Sequence, residues 1–231
     1  MNSVEPAFDA DRERGTDKLV RDTLARLAPH GCAVEPRGTD FVVSEVPSAC
    51  ERDHLGARRL LACGAALSIT RTVLRMFGHD LEVVFPDDPG RPDEVAVLRQ
   101  VGTRPPTRIE WDRYVALERM RRTEPDHLTP AGRAVLDALA APCDWPGVAV
   151  SVVDDVTLVV TSGVTRRDQV LAGAAAHTVR LDAAVAGLDT AFVALTAPDP
   201  PRLTAELRAL ARPHALVRVG YEIPVNGGKR R

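Results

Sequence analysis

Apolar and small residues recur at helical spacing through Leu60, Ala66, Leu67, Thr70, Val73, Leu74 and Phe77, leaving only a narrow polar face. The pattern predicts a helix that begins near Asp53, a residue able to cap an N-terminus, and stops at Gly78. Leu81 to Phe85 then reads as a short apolar strand, and Asp87-Asp88-Pro89-Gly90 as a turn. The same succession returns later in the chain. A helix capped near Thr165 runs to Gly187, Thr190 to Leu195 reads as a strand, and Pro198-Asp199-Pro200-Pro201 as a turn. With Gly64 set on Gly173 the offset is 173 − 64 = 109 residues, and Ala65 then meets Ala174, Arg71 meets Arg180, Asp80 meets Asp189 and Val84 meets Val193. Ala-rich helices align easily by chance. Here, however, Gly64 to Gly78 and Gly173 to Gly187 share one spacing and both lead into a β-like run, which favours a duplicated supersecondary unit. Small residues at Ala62, Gly64, Ala65 and Ala66 predict close approach by another helix, so the two copies are expected as paired central helices.

The flanking segments are shorter. Thr16 to Leu27 reads as a helix, with Leu19, Val20, Leu24 and Leu27 on one side, ended by Ala28-Pro29-His30-Gly31. Phe41 to Val46 reads as a strand, Pro92 to Val101 as a helix, and Ile109 to Arg122 as a charged helix carrying Trp111 and Tyr114. Thr129-Pro130 reads as an N-cap with proline at the first helical position, opening a helix to Ala140. Val148–Val153 and Val156–Thr161 are apolar runs on either side of Asp154-Asp155, which suits a tight hairpin. Pro201 to Ala211 reads as a helix and Ala215 to Tyr221 as the last strand. Helices and short strands without regular βαβ alternation predict an α+β fold of two related helix-plus-strand halves packed through central helices. The expected organisation is a disordered segment over 1–15, a first half over 16–102, a second half over 108–222 and a basic tail over 223–231. The linker falls at Thr103 to Thr107, stiffened by Pro105-Pro106.

Composition narrows the function classes. The chain of 231 residues has a formal net charge of −2 and 45% hydrophobic residues, with only 4% aromatic. That describes a globular protein with a Leu, Val and Ala core, and gives no electrostatic case for nucleic acid or a membrane surface as partner. No apolar run reaches the roughly 18 residues of a membrane helix and Met1 to Gly15 is not signal-like, so a cytoplasmic location is expected. Cys32, Cys50, Cys63 and Cys143 show no C-x-x-C spacing and no metal-ligand spacing with histidine, so reduced thiols and no metal are expected.

Candidate chemistry is sparse. No Gly-rich phosphate loop follows a strand, and no G-x-S-x-G occurs. Asp87-Asp88 and Asp154-Asp155 sit in turns, where aspartate serves backbone geometry. His177 occupies the position that the first copy fills with Ser68, and reads as a hydrogen-bonded or solvated core histidine. Arg121-Arg122 can bind an anion or simply complement a helix end. On the residues alone no catalytic group is named.

The segment from Leu60 to Asp88 resembles the S-C-G-A-A-L…L-R-x-A-L…G segment of the actinobacterial nitroreductase-like family of the Acg type. Ala215 to Tyr221 resembles that family's closing L-L-R-x-G-Y strand. Arg121-Arg122-Thr123, with the helix and Val148–Asp155 after it, resembles the family's R-R-T-N-R segment and the stretch beyond it. The matches fall in family order and cover most of Leu19 to Tyr221. The resemblance implies a nitroreductase fold with two related halves in one chain and an FMN pocket between them. It also implies NAD(P)H-dependent reduction of a small-molecule acceptor of the nitro or quinone type. Arg121, Arg122, Thr123, Lys229 and Arg230 would then be the flavin-phosphate candidates.

Two departures weaken that site. Where the family carries A-P-S-x-H-N-T-Q-P-W, this chain has Ala28-Pro29-His30-Gly31-Cys32-Ala33-Val34-Glu35-Pro36. Where it carries R-R-T-N-R, this chain has Arg121-Arg122-Thr123-Glu124-Pro125, losing an arginine and gaining a carboxylate that repels phosphate. FMN is therefore expected to bind weakly or not at all. The alternative reading is a degenerate, non-catalytic member that sequesters flavin or docks a protein partner. Family members also continue with further helices between the positions of Asp155 and Val156, and loss of that cover predicts exposed apolar surface and a homodimer.

Overall fold

A computed structural model describes residues 18–27, 29–46, 56–120, 128–141, 143–195 and 212–222. In chain order, helix α1 (18–27) precedes a hairpin of β1 (Cys32–Arg37) and β2 (Asp40–Glu45). Helix α2 (Ala57–Met76), β3 (His79–Val84) and β4 (Glu94–Thr103) complete the first half. Helix α3 (Arg108–Arg119), the short β5 (Leu128–Pro130) and helix α4 (Arg133–Leu139) follow. A second hairpin, β6 (Ala149–Val152) and β7 (Thr157–Ser162), leads into α5 (Arg166–Val185), β8 (Asp189–Ala194) and β9 (Arg212–Glu222). The protein is α+β, with two antiparallel sheets.

The two halves share one topology. The first sheet runs β1-β2-β4-β3; in the second, β9 lies between β7 and β8 and β6 flanks β7, which gives β6-β7-β9-β8. Each half is thus hairpin, helix, strand, strand, with every neighbouring pair antiparallel. Helix α5 has the bounds of α2 displaced by 109 residues. β5 is an addition, paired to the far end of β9 through Pro130↔Gly220.

Both central helices end as their glycines require. Gly78 (φ 85) and Gly187 (φ 76) adopt the left-handed conformation two residues beyond the last helical turn, where a Cβ would be strained. Thr165 caps α5 in a reciprocal box, its hydroxyl accepting from the Asp168 N–H while the Asp168 carboxylate accepts from the Thr165 N–H at 3.0 Å. The start of α2 differs: Gly56 stands at the N-cap without a side-chain bond, and Asp53 lies outside the described residues.

Each helix rests on the sheet of its own half, and the two helices pack on each other. The main core joins Val43, Ala96 and Leu98 of the first sheet to Leu158, Val160 and Val217 of the second through Leu61, Leu67, Val170 and Ala175. A smaller cluster, Val20, Leu24, Val73, Leu74, Leu117 and Leu181, seats α1 and α3 against the helix pair.

Two expected elements take a different form. Pro92–Val101 is not a helix: Glu94–Thr103 forms β4, bonded on one edge to β2 and on the other to β3. Val95, Ala96 and Leu98 fit either period over so short a run, and pairing on both edges decides for strand. Thr129-Pro130 does not open a helix. It lies in β5, whose proline end is tolerated in so short a strand, and α4 starts three residues later at Arg133 behind Gly132. Strand β1 arises from Cys32–Arg37, residues whose sequence suggests only a flavin-side segment. The helix expected over Pro201–Ala211 lies outside the described residues.

Candidate functional site

Gly64 and Gly173 bring the backbones of α2 and α5 together. A Cβ on Gly64 would stand 2.6 Å from Ala174 N and 2.8 Å from Gly173 Cα, and one on Gly173 would stand 2.7 Å from Leu61 Cα. One turn beyond the crossing lies a buried polar chain. Trp145 Nε1 donates to Thr178 Oγ1 at 2.9 Å, and Thr178 Oγ1 donates to Ala174 O at 2.9 Å. Its single proton thus committed, Thr178 accepts from Ser68 Oγ across 3.2 Å. Ser68 in turn accepts from His177 Nδ1 at 3.1 Å. This assignment gives each of these bonds one donor and one acceptor, with His177 neutral and protonated on Nδ1. Burial pushes its pKa down to about 3, with Arg180 adding to the effect. With its Nδ1 proton directed at Ser68, the imidazole is not a base toward that hydroxyl, and the pair ties two helices together rather than forming a nucleophile.

Helix α3 lies across the helix pair and is pinned to both by its first two turns. Thr107 caps α3 in a capping box with Glu110, and the same carboxylate accepts from Arg75 Nε of α2 at 2.8 Å and Arg104 Nη2 at 2.7 Å. Burial raises the Glu110 pKa, but the Thr107 N–H and Arg104 outweigh it and hold the carboxyl below its ordinary value. Arg113, one turn later, donates to Asp182 of α5 at 2.7 Å and to Asp144 at 3.0 Å. Burial opposes the Arg113 charge, and those two carboxylates more than restore it.

This arrangement leaves a cleft on each side of α3. The smaller, about 290 Å³, is lined by Ser68, Arg71, Arg75, Arg104, Glu110, Arg113, Asp144, Trp145 and Thr178. The larger, about 440 Å³, is an open groove between α3, α5 and β8, with Val115, Ala116, Met120, Ala184, Val185 and Leu188 as apolar floor and Arg108, Arg119 and Arg180 as cations. Arg71 thus faces one cleft and its counterpart Arg180 the other. Arg180 donates to Thr190 Oγ1 at 3.1 Å, and Arg108 is paired with Asp112 at 3.0 Å.

Away from the clefts, Cys32 of β1 donates to Pro29 O at 3.1 Å and Cys63 of α2 donates to Ser44 O at 3.8 Å. Burial lowers the pKa of His214, whose Nε2 donates to Gly163 O at 2.8 Å. Among the described residues no group of three or more His, Cys, Asp and Glu side chains is placed to hold a metal, and no helix is long and apolar enough to cross a membrane.

The five flavin-phosphate candidates, Arg121, Arg122, Thr123, Lys229 and Arg230, all lie outside the described residues. Met120, immediately before them in sequence, lines the larger groove. Asp154 sits in the hairpin turn as expected, its carboxylate accepting from Val156 N at 2.9 Å. His177 is the hydrogen-bonded core histidine that the repeat predicts, and its partner is Ser68, the residue of the other copy. Trp145, Glu110 and Arg113 carry no sequence signal of the part they play here. The one available signal was for Arg71 and Arg180, arginines at matching positions of the two copies. No family model matches the chain, and no curated protein matches it either.

Proposed function

We propose that this chain is a nitroreductase-like protein of two fused halves that holds FMN weakly in the groove beside Met120. In this reading it is a binding module first, with at most slow NAD(P)H-dependent reduction of nitro or quinone-type acceptors. The observation that carries the reading is the repeated hairpin–helix–strand–strand unit, whose two copies meet helix to helix at Gly64 and Gly173. That repeat supports the reading of two related halves in one chain.

The larger groove is a partial fit for FMN. Val115, Ala116, Met120, Ala184, Val185 and Leu188 offer an apolar face to a flat ring, and Arg108, Arg119 and Arg180 offer cations to a phosphate. Against tight binding, Arg108 is already held by Asp112 and Arg180 by Thr190, and Asp112 and Asp189 add negative charge to the lining. Glu124 and Pro125 stand where the family's phosphate segment carries neutral and basic residues. Bound flavin would supply the hydride chemistry, and the chain would seat and orient it. A weakly held flavin supports little turnover, which favours the binding role. A homodimer, formed over exposed apolar residues such as Ile109 and Trp111, belongs to the same proposal.

The test is a visible spectrum of the purified protein with and without added FMN, followed by NADPH oxidation in the presence of a nitroarene and of a quinone. Little bound flavin on purification is expected, with slow turnover that rises with added FMN. A protein that purifies yellow and turns over rapidly without supplement would make it an ordinary flavin oxidoreductase. No flavin uptake at any concentration would exclude FMN as its ligand.

A further inference from the structure

We propose that the smaller cleft is a binding site for a small organic carboxylate, with Arg71 as the residue that recognises it. Four arginines line this cleft, and three have carboxylate partners. Arg75 is held by Glu110 and Asp80, Arg104 by Glu110, and Arg113 by Asp182 and Asp144. Arg71 is the exception: among the described residues no carboxylate pairs with it, although it is half-buried on α2. Its guanidinium lies instead over Trp145, with the ring centroid 4.9 Å from the guanidinium carbon.

That contact orients the arginine. Trp145 is itself fixed, 4% exposed and bonded through Nε1 to Thr178, so the ring is a rigid platform. An arginine stacked by its face keeps its edge free, and the edge is the fork that matches two carboxylate oxygens. Glu110, Asp80, Asp182 and Asp144 match the four arginines in number, so the attraction for an anion comes from the edge of Arg71 and not from a net positive lining. Those carboxylates repel a phosphate dianion more than a singly charged carboxylate. A volume of about 290 Å³ admits a small acid. This site is on the other side of α3 from the flavin groove and does not rest on the flavin proposal.

Fluorescence tests it. The chain has two tryptophans, and Trp111 is exposed and outside the cleft, so Trp111→Phe leaves Trp145 as the only reporter. Acetate, lactate and inorganic phosphate are titrated into this protein at constant ionic strength set with chloride. The site predicts a saturable change in Trp145 emission with acetate or lactate below about 10 mM. Arg71→Gln in the same background should abolish it, and Arg71→Lys, which keeps the charge without the planar fork, should weaken it about tenfold. If Arg71→Gln fails to fold, Arg71→Lys carries the comparison. Equal binding by wild type and Arg71→Lys, saturation by phosphate alone, or no saturable change with any of the three anions would overturn the proposal.

Discussion

Gly64 of α2 and Gly173 of α5 meet where the two central helices cross, and each occupies in its own half the position that the other occupies in its. The contact is reciprocal: a side chain on Gly64 would strike Val170, and one on Gly173 would strike Leu61, residues that are themselves counterparts. Ser68 and His177, also counterparts, touch one turn further on. A contact between equivalent positions is what a twofold pseudo-axis through the crossing produces. Gly64→Ala and Gly173→Ala should each destabilise the protein by about 2–4 kcal/mol, since rigid backbone must move, and this outweighs alanine's advantage of about 1 kcal/mol in a helix. Gly187→Ala has nothing within 4 Å and only a positive φ to strain it, so about 1 kcal/mol is expected. Urea denaturation measures all three, and an unchanged midpoint for Gly64→Ala would contradict the crossing.

His177 should be neutral in the folded protein well below its ordinary pKa. The folded state holds it at about 3 against 6.5, so its contribution to stability is fully present above pH 6.5 and is lost as pH falls toward about 3. Over that window one proton is taken up on unfolding, and the folding constant falls by up to about tenfold per pH unit. Buried His214 shares the direction, so the measurement is the difference between wild type and His177→Gln. Nitrogen-15 NMR at pH 6 should show the imidazole protonated on Nδ1 alone. A titration near 6.5, or the Nε2–H tautomer, would count against the network.

Glu110 makes a separate acid-side prediction. Its folded pKa lies below the ordinary 4.5, so it stabilises the fold above the unfolded value and ceases to do so as pH falls through its folded one. Glu110→Gln should therefore flatten the stability profile below about pH 4.5 and lower stability at pH 7, because Arg75, which is buried, loses a partner. Chemical denaturation at pH 7 and pH 3.5 measures the difference, which should shrink at the lower pH. An equal deficit at both values would show that the carboxylate charge contributes nothing.

Several local signals sufficed: Thr165 caps a helix, Gly78 and Gly187 stop helices, and Asp154 builds its turn, whereas Thr129-Pro130 misled. The 109-residue offset set Ser68 and His177 at equivalent positions, but their contact emerges only when the helices cross. Where pairing decided, local signals did not suffice. Val95, Ala96 and Leu98 become a central strand only because β2 and β3 lie on either side, and β5 forms only because β9 extends past β7. The clefts were hidden for the same reason. Arg75, Glu110 and Arg113 look like ordinary helix charges, and Arg104 like a linker charge, until α3 is laid across α2 and α5. Only then does Arg71 stand out, among the described residues, as the arginine of the smaller cleft without a carboxylate partner.

Weak flavin binding in the groove beside Met120 is tested most directly by titrating FMN into the apoprotein and following flavin fluorescence. Ala184→Trp, which fills the apolar floor of that groove, is titrated in parallel. A dissociation constant weaker than about 1 μM is expected for the wild type, with loss of that binding in Ala184→Trp. Tight one-to-one binding by the wild type, or equal binding by the filled variant, would contradict it.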